Sequence, residues 1–240
     1  MINFLRIANN IKLGNLLHSN GFIDDVASDD VIGICVIPSN FLPDKLARFT
    51  SINSIAGPWS NKINLVDNYK TDLPGLDKRK QCVFGFIKND GNPSTIASPF
   101  LPGTSEFNPD FFRETPGGNA FQDYKGYENT KIYREKHKKL NKYVNAFNLC
   151  SKISPSYRNR DWYLPALGEL AFLAIESKAL FRICTTSFVG KSEIDRFIFG
   201  CHWSSTELSK EAVWDIGMRY GSVGYYCKNG KDIIRAFLTL

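Results

Sequence analysis

The 240-residue sequence contains no CxxC pair. Its six cysteines stand far apart at 35, 82, 150, 184, 201 and 227, which indicates neither a zinc knuckle nor a dithiol redox motif. Most are expected to be buried as small apolar residues. The three histidines, His18, His137 and His202, share no metal-ligand spacing with one another or with the cysteines, so no metal and no cofactor is expected. Cys201 lies beside His202, but neighbours on a strand point to opposite faces and do not meet as nucleophile and base. No run reaches eighteen apolar residues, and MINFLRIANNIKLGNLLHSNGF lacks the charged start, apolar stretch and small-residue cleavage site of a leader. The expectation is a chain without a signal peptide and without membrane insertion. The net charge of +6 is modest, and its excess gathers between Lys125 and Lys142, where KHKK at 136–139 reads as the solvated face of a helix. A dense basic stripe is missing, so no nucleic-acid partner is expected. Neither an internal repeat nor a coiled-coil heptad is present; an oligomer is compatible with the sequence but has no such motif behind it.

What is there is an ordinary globular composition, 43% hydrophobic and 22% charged, able to bury a real core. Residues 11–37 read as a β-hairpin unit with an Asn20-Gly21 turn, followed by the β-branched run VIGICVI that Pro38 ends. From Leu42 to Pro116 the chain is rich in Pro, Gly, Asn and Ser with small apolar islands such as CVFGFI, and it reads as a long irregular insertion. Thr130 to Lys152 carries apolar residues at intervals of three or four and predicts one amphipathic helix capped by Asn129 or Thr130. A second helix is expected from about Pro165, after an extended WYL. Short strands follow in FIFGCHWSS, AVWDIGM, VGYYC and DIIRAFLTL.

Two segments stand in order near the C-terminus: DWYLPALGELAFL at 161–173, then HWSSTE at 202–207 followed by AVWDIGM, a lysine and IIRAF. This order resembles the C-type-lectin-like domain family of bacterial collagen-like adhesins and of retroelement-diversified variable proteins. The residues that carry the resemblance are Trp162, Leu164, Pro165, Glu169 and Leu170, then Trp203, Ser204, Ser205, Thr206 and Glu207, then Trp214, Lys228, Ile234, Arg235 and Ala236. His202, Ala166 and Val213 depart from the pattern. The resemblance implies an α+β chain with a C-type-lectin-like fold at the C-terminus, made of two helices and short antiparallel strands. The expected division is a hairpin unit over 1–41, the insertion over 42–122 and the lectin-like domain over 123–240.

The large side chains of Trp162 and Trp203 read as scaffold. The hydroxyls of Ser204, Ser205 and Thr206, with Glu207, are expected to fix the strand-to-loop turn by bonds to nearby backbone. Arg235 is expected to pair with a carboxylate, Glu169 being the candidate.

Between Trp214 and Lys228 the chain alternates apolar positions with tyrosine, serine, glycine and arginine, the composition that binding surfaces favour. Asp215, Arg219, Tyr220, Ser222, Tyr225, Tyr226 and Asn229 are therefore the candidate ligand-contacting set, against the plainer reading of an ordinary exposed hairpin. The carboxylate-amide clusters of calcium-dependent sugar binding are missing, which leaves metal-free contact with a protein or polysaccharide on a bacterial or host cell surface. The resemblance implies a non-catalytic recognition or structural module of a phage particle, in contact with other virion proteins and located in the virion. The alternative is a bacterial cell-surface adhesin domain whose leader is missing. A third reading, an enzyme of the formylglycine-generating type, requires a close pair of reactive cysteines that the scattered cysteines do not offer.

Overall fold

The computed structural model describes residues 11–26, 28–39, 41–42, 44–60, 85–86, 123–136, 145–153, 156–174, 200–208, 212–218 and 222–240. At the N-terminal end, β1 (Leu16–His18) and β2 (Ile23–Asp24) form the expected hairpin. Gly21 occupies its turn at φ +98, a conformation that Asn-Gly sequences supply. The run VIGICVI becomes β3 (Val31–Ile37). It is apolar throughout because both of its faces are covered, Ile34 and Val36 on one side and Cys35 on the other.

Next come β4 (Arg48–Gly57) and the two-residue β5 (Gly85–Phe86). Helices α1 (Gly126–Lys136), α2 (Ala146–Ile153) and α3 (167–174) follow. The chain ends in β6 (Cys201–Glu207), β7 (Ala212–Gly217), β8 (Ser222–Cys227) and β9 (Asp232–Thr239). All nine described strands belong to one mixed sheet in the order β2-β1-β3-β4-β9-β6-β7-β8-β5. Every pairing is antiparallel except β6 with β9, which run parallel through His202 and Ile233.

The expected fold, a C-type-lectin-like domain with a separate hairpin unit and an irregular insertion, is overturned by this sheet. β9 does not close a domain of its own with short neighbouring strands. It lies between β6 and β4, and β4 comes from the segment read as irregular and pairs in turn with β3. Alternation explains the difference. In RFTSINSIAG, β4 buries its first four residues and exposes part of its second half, a pattern that polar Thr50, Ser51, Asn53 and Ser54 hide from a count of apolar residues.

The core lies on both sides of the sheet. One side holds α3, whose Leu167, Leu170 and Leu173 pack with Trp214, Ile216 and Phe237. On the other, Tyr133 of α1 and Phe147 of α2 pack with Trp59, Trp203 and Ile234. The single helix expected from Thr130 to Lys152 is two helices. The rings of Tyr133 and Phe147 stack with centroids 4.0 Å apart, whereas fourteen residues along one helix would separate them by about 21 Å. Asn129 and Thr130 are internal to α1 and not its cap. Asp123 accepts the Lys125 N–H ahead of α1, and Asn145 accepts the Asn148 N–H at the start of α2.

Candidate functional site

The candidate ligand-contacting residues sit on the β7–β8 hairpin, where Val213, Trp214 and Asp215 pair with Tyr226, Tyr225 and Gly224. Tyr226 is exposed and stacks on Trp203, with centroids 6.2 Å apart. Tyr225 faces the other way, half-buried with its edge toward Trp214. Asp215 shares the face of Tyr226 but is buried; burial, with repulsion from Asp232, pushes its carboxyl up to about 7. Asn229 is exposed in the turn after β8. Ser222 opens β8 opposite Gly217 and Phe86. Arg219 and Tyr220 lie outside the described residues. The hairpin thus brings Tyr226 and Asn229 to the surface and takes Asp215 and much of Tyr225 away from it.

The motif residues behind this hairpin are structural. Trp162 and Trp203 are buried, and the Trp203 Nε1–H donates to the Gly57 carbonyl at 2.9 Å. Ser204 donates to the Trp214 carbonyl at 2.7 Å, a local backbone bond of the expected kind. Thr206 reaches further: its hydroxyl accepts the Leu167 N–H and donates to Asp123 Oδ2. Glu207 forms a buried ion pair with Lys228, whose ammonium also lies 4.8 Å from the Trp59 ring centroid. The expected partnership of Arg235 with Glu169 is replaced by one between Arg48 and Glu169. Arg235, on the central strand β9, donates to the Ser51 carbonyl at 3.0 Å, while Arg48 Nε donates to Glu169 Oε1 at 2.9 Å.

That Arg48–Glu169 pair lies at the floor of a cleft of about 630 Å³. One wall is the loop before β4, with Leu42, Asp44 and Leu46; another is the start of α1, with Tyr124, Lys125, Tyr127 and Glu128; a third is Asn159, Arg160 and Asp161; Leu238 and Thr239 complete the lining. The floor is rigidly bonded. Arg48 also donates to Asp44 Oδ2 at 2.5 Å and to the Leu46 carbonyl at 3.0 Å. Glu169 receives the Tyr163 hydroxyl on Oε1 and the Ala166 N–H on Oε2, each at 2.9 Å. Burial pushes the Glu169 carboxyl up to about 7, against the pull of Arg48 and these donors. Higher on the wall, Tyr127 is 45% exposed and its ring is braced edge-on by Tyr163. None of Asp44, Arg48, Tyr127 or Asn159 stood out in the sequence. The one available signal was the i, i+4 pair of Asp44 and Arg48, which reads equally as a surface ion pair.

By fold, the chain is similar to a fimbrial protein from Bacteroides ovatus. The two superpose with a TM-score of 0.56 at 18% sequence identity, over 96% of this chain and 49% of the other. The chain therefore spans about half the length of that protein. No family model and no curated protein matches the sequence.

A second cluster carries groups that could be mistaken for a catalytic triad. The Ser28 hydroxyl lies 3.0 Å from His18 Nδ1, and Asp24 lies 2.9 Å from His18 Nε2. Asp30 also bonds His18 Nδ1, at 2.8 Å. Burial opposes a charge on His18, but the bonds and charges of Asp30 and Asp24 outweigh it and raise the imidazole pKa. A carboxylate therefore bonds each ring nitrogen, an arrangement that favours the charged imidazole. His202 is buried and held neutral by burial and the charge of Arg235. Cys35, Cys150, Cys201 and Cys227 are free, the first two buried; burial pushes the Cys150 thiol up to about 12 and the Cys201 thiol up to about 11. His137, Cys82 and Cys184 lie outside the described residues. Among the described residues no helix is long and apolar enough to cross a membrane.

Proposed function

We propose that the chain is a non-catalytic module of a bacterial cell-surface appendage, of adhesin or fimbrial type, that recognises a protein or polysaccharide. The carrying observation is the fold likeness to a fimbrial protein across nearly the whole chain. A virion location has no comparable observation behind it, and the surface-adhesin reading is preferred for that reason. Two chemical features support recognition over catalysis. The cleft offers aromatic and hydrogen-bonding groups on a braced floor, and both oxygens of its floor carboxyl are already engaged by Arg48, Tyr163 and the Ala166 N–H. The exposed Tyr226 and Asn229 offer a second contact surface.

The test is immunogold labelling of intact, unpermeabilised cells of the source organism with antibody raised to the purified chain. Label on the outer surface or on filaments is expected. Label that appears only after permeabilisation would overturn the reading.

A further inference from the structure

We infer that the cleft between the loop before β4, the start of α1 and the 156–161 loop is a binding subsite for a neutral saccharide unit. This deepens the surface-recognition reading and rests on it.

Size comes first. About 630 Å³ is the scale of a small-molecule site and too small for a folded partner. Charge comes second. The lining holds four carboxylates, Asp44, Glu128, Asp161 and Glu169, against three cations, Arg48, Lys125 and Arg160, and several of these are already satisfied within the protein. Arg48 is shared between Asp44 and Glu169, and Arg160 donates to the Thr239 carbonyl at 2.7 Å. Strongly charged ligands gain little from such a balanced wall, whereas hydroxyl groups find both acceptors and donors in planar carboxylate, amide and guanidinium groups.

The aromatic component is Tyr127. Its side chain is partly exposed, lines the cleft and packs perpendicular to the Tyr163 ring, so it offers an oriented flat surface to the apolar face of a sugar ring. Preorganisation is the last observation. The non-glycine residues with positive φ among the described residues are Lys45, Arg158 and Asn159, at φ 54, 47 and 62, and they sit on the two loops that flank the cleft. Arg158 and Asn159 are the two central residues of a tight turn closed by bonds in both directions between Tyr157 and Arg160, a turn whose central residues both take positive φ, so the turn itself fixes this part of the rim. These two loops contribute Asn159, Asp44 and Leu46 to the lining.

The experiment uses the full chain and a glycan microarray of neutral and acidic oligosaccharides, followed by calorimetric titration of any ligand found. The variants are Tyr127→Ala and Asn159→Gly, the latter chosen because glycine accepts the positive φ and keeps the loop. Ile55→Ser, an exposed position about 23 Å along β4 from Arg48, serves as the control. Binding of neutral saccharides is expected, with affinity falling about tenfold or more in both cleft variants and unchanged in the control. No neutral saccharide bound, binding confined to acidic glycans, or binding unaffected by Tyr127→Ala would each overturn the assignment. Surface label without saccharide binding would sink this inference alone; saccharide binding without surface label would sink the appendage reading and leave the cleft standing.

Discussion

Lys228 shows what a single residue does in this protein. Its ammonium is fully buried, paired with Glu207 and laid against Trp59. A buried pair of this kind contributes little net stability but is costly to break, because the survivor is left charged and desolvated. Lys228→Met is expected to destabilise by about 3–5 kcal/mol, read as a lower urea midpoint. Adding Glu207→Leu should recover much of that loss, and a double variant as unstable as the single one would refute the account. His18 makes the complementary case. Its raised pKa means that its stabilising contribution is fully present below the unfolded value of about 6.5 and lost as pH rises through the higher folded value. The stability gap between the parent and His18→Gln should therefore shrink from pH 5.5 toward pH 8.5; a gap that widens would show that the ring is neutral in the fold.

At the scale of elements, the start of α3 ties distant segments together. Its first N–H groups need acceptors, and they find Thr206 Oγ1 from β6, the Asp123 carbonyl from before α1, and the Glu169 carboxylate reaching back to Ala166. Thr206→Val keeps the shape and removes the acceptor. It is expected to cost about 1–3 kcal/mol, with an unchanged denaturant slope in urea unfolding; a cost near zero would mean that the cap is dispensable. Much of this was legible in the sequence as a motif and not as a mechanism. The positions of β6 to β9, the Asn20-Gly21 turn and the start of α3 follow from alternation, turn chemistry and Pro165. The helix pair could not be read, because Tyr133, Phe147 and Cys150 keep a helical spacing and only the stacking of Tyr133 on Phe147 shows that they belong to two helices. Asp215 was misplaced because it occupies the polar phase of an alternating strand whose polar face is itself covered.

The whole molecule depends on a strand that the sequence places last. β9 joins β4 to β6, and its pairing partners lie up to about 190 residues away. Local patterns identify β9 as a strand but carry no information on which neighbours it takes, which is why a separate C-terminal domain was the natural expectation and why the cleft, assembled from four distant segments, was invisible. A chain ending at Lys231 should fail to fold cooperatively, with lost near-ultraviolet dichroism and rapid proteolysis extending into β3 and β4. A truncated chain that kept a stable N-terminal half would show that the two sides of the sheet are independent after all.

The same interior strand sets how the protein would carry load. Hydrogen bonds between antiparallel strands run across the strand axis, and β9 is held along most of its length by β4. A pull on Leu240 along that axis must shear the whole row at once instead of peeling bonds singly, as it would from a strand at the rim. Resistance to extension along β9 is thus set by the whole β4–β9 row and not by its weakest bond.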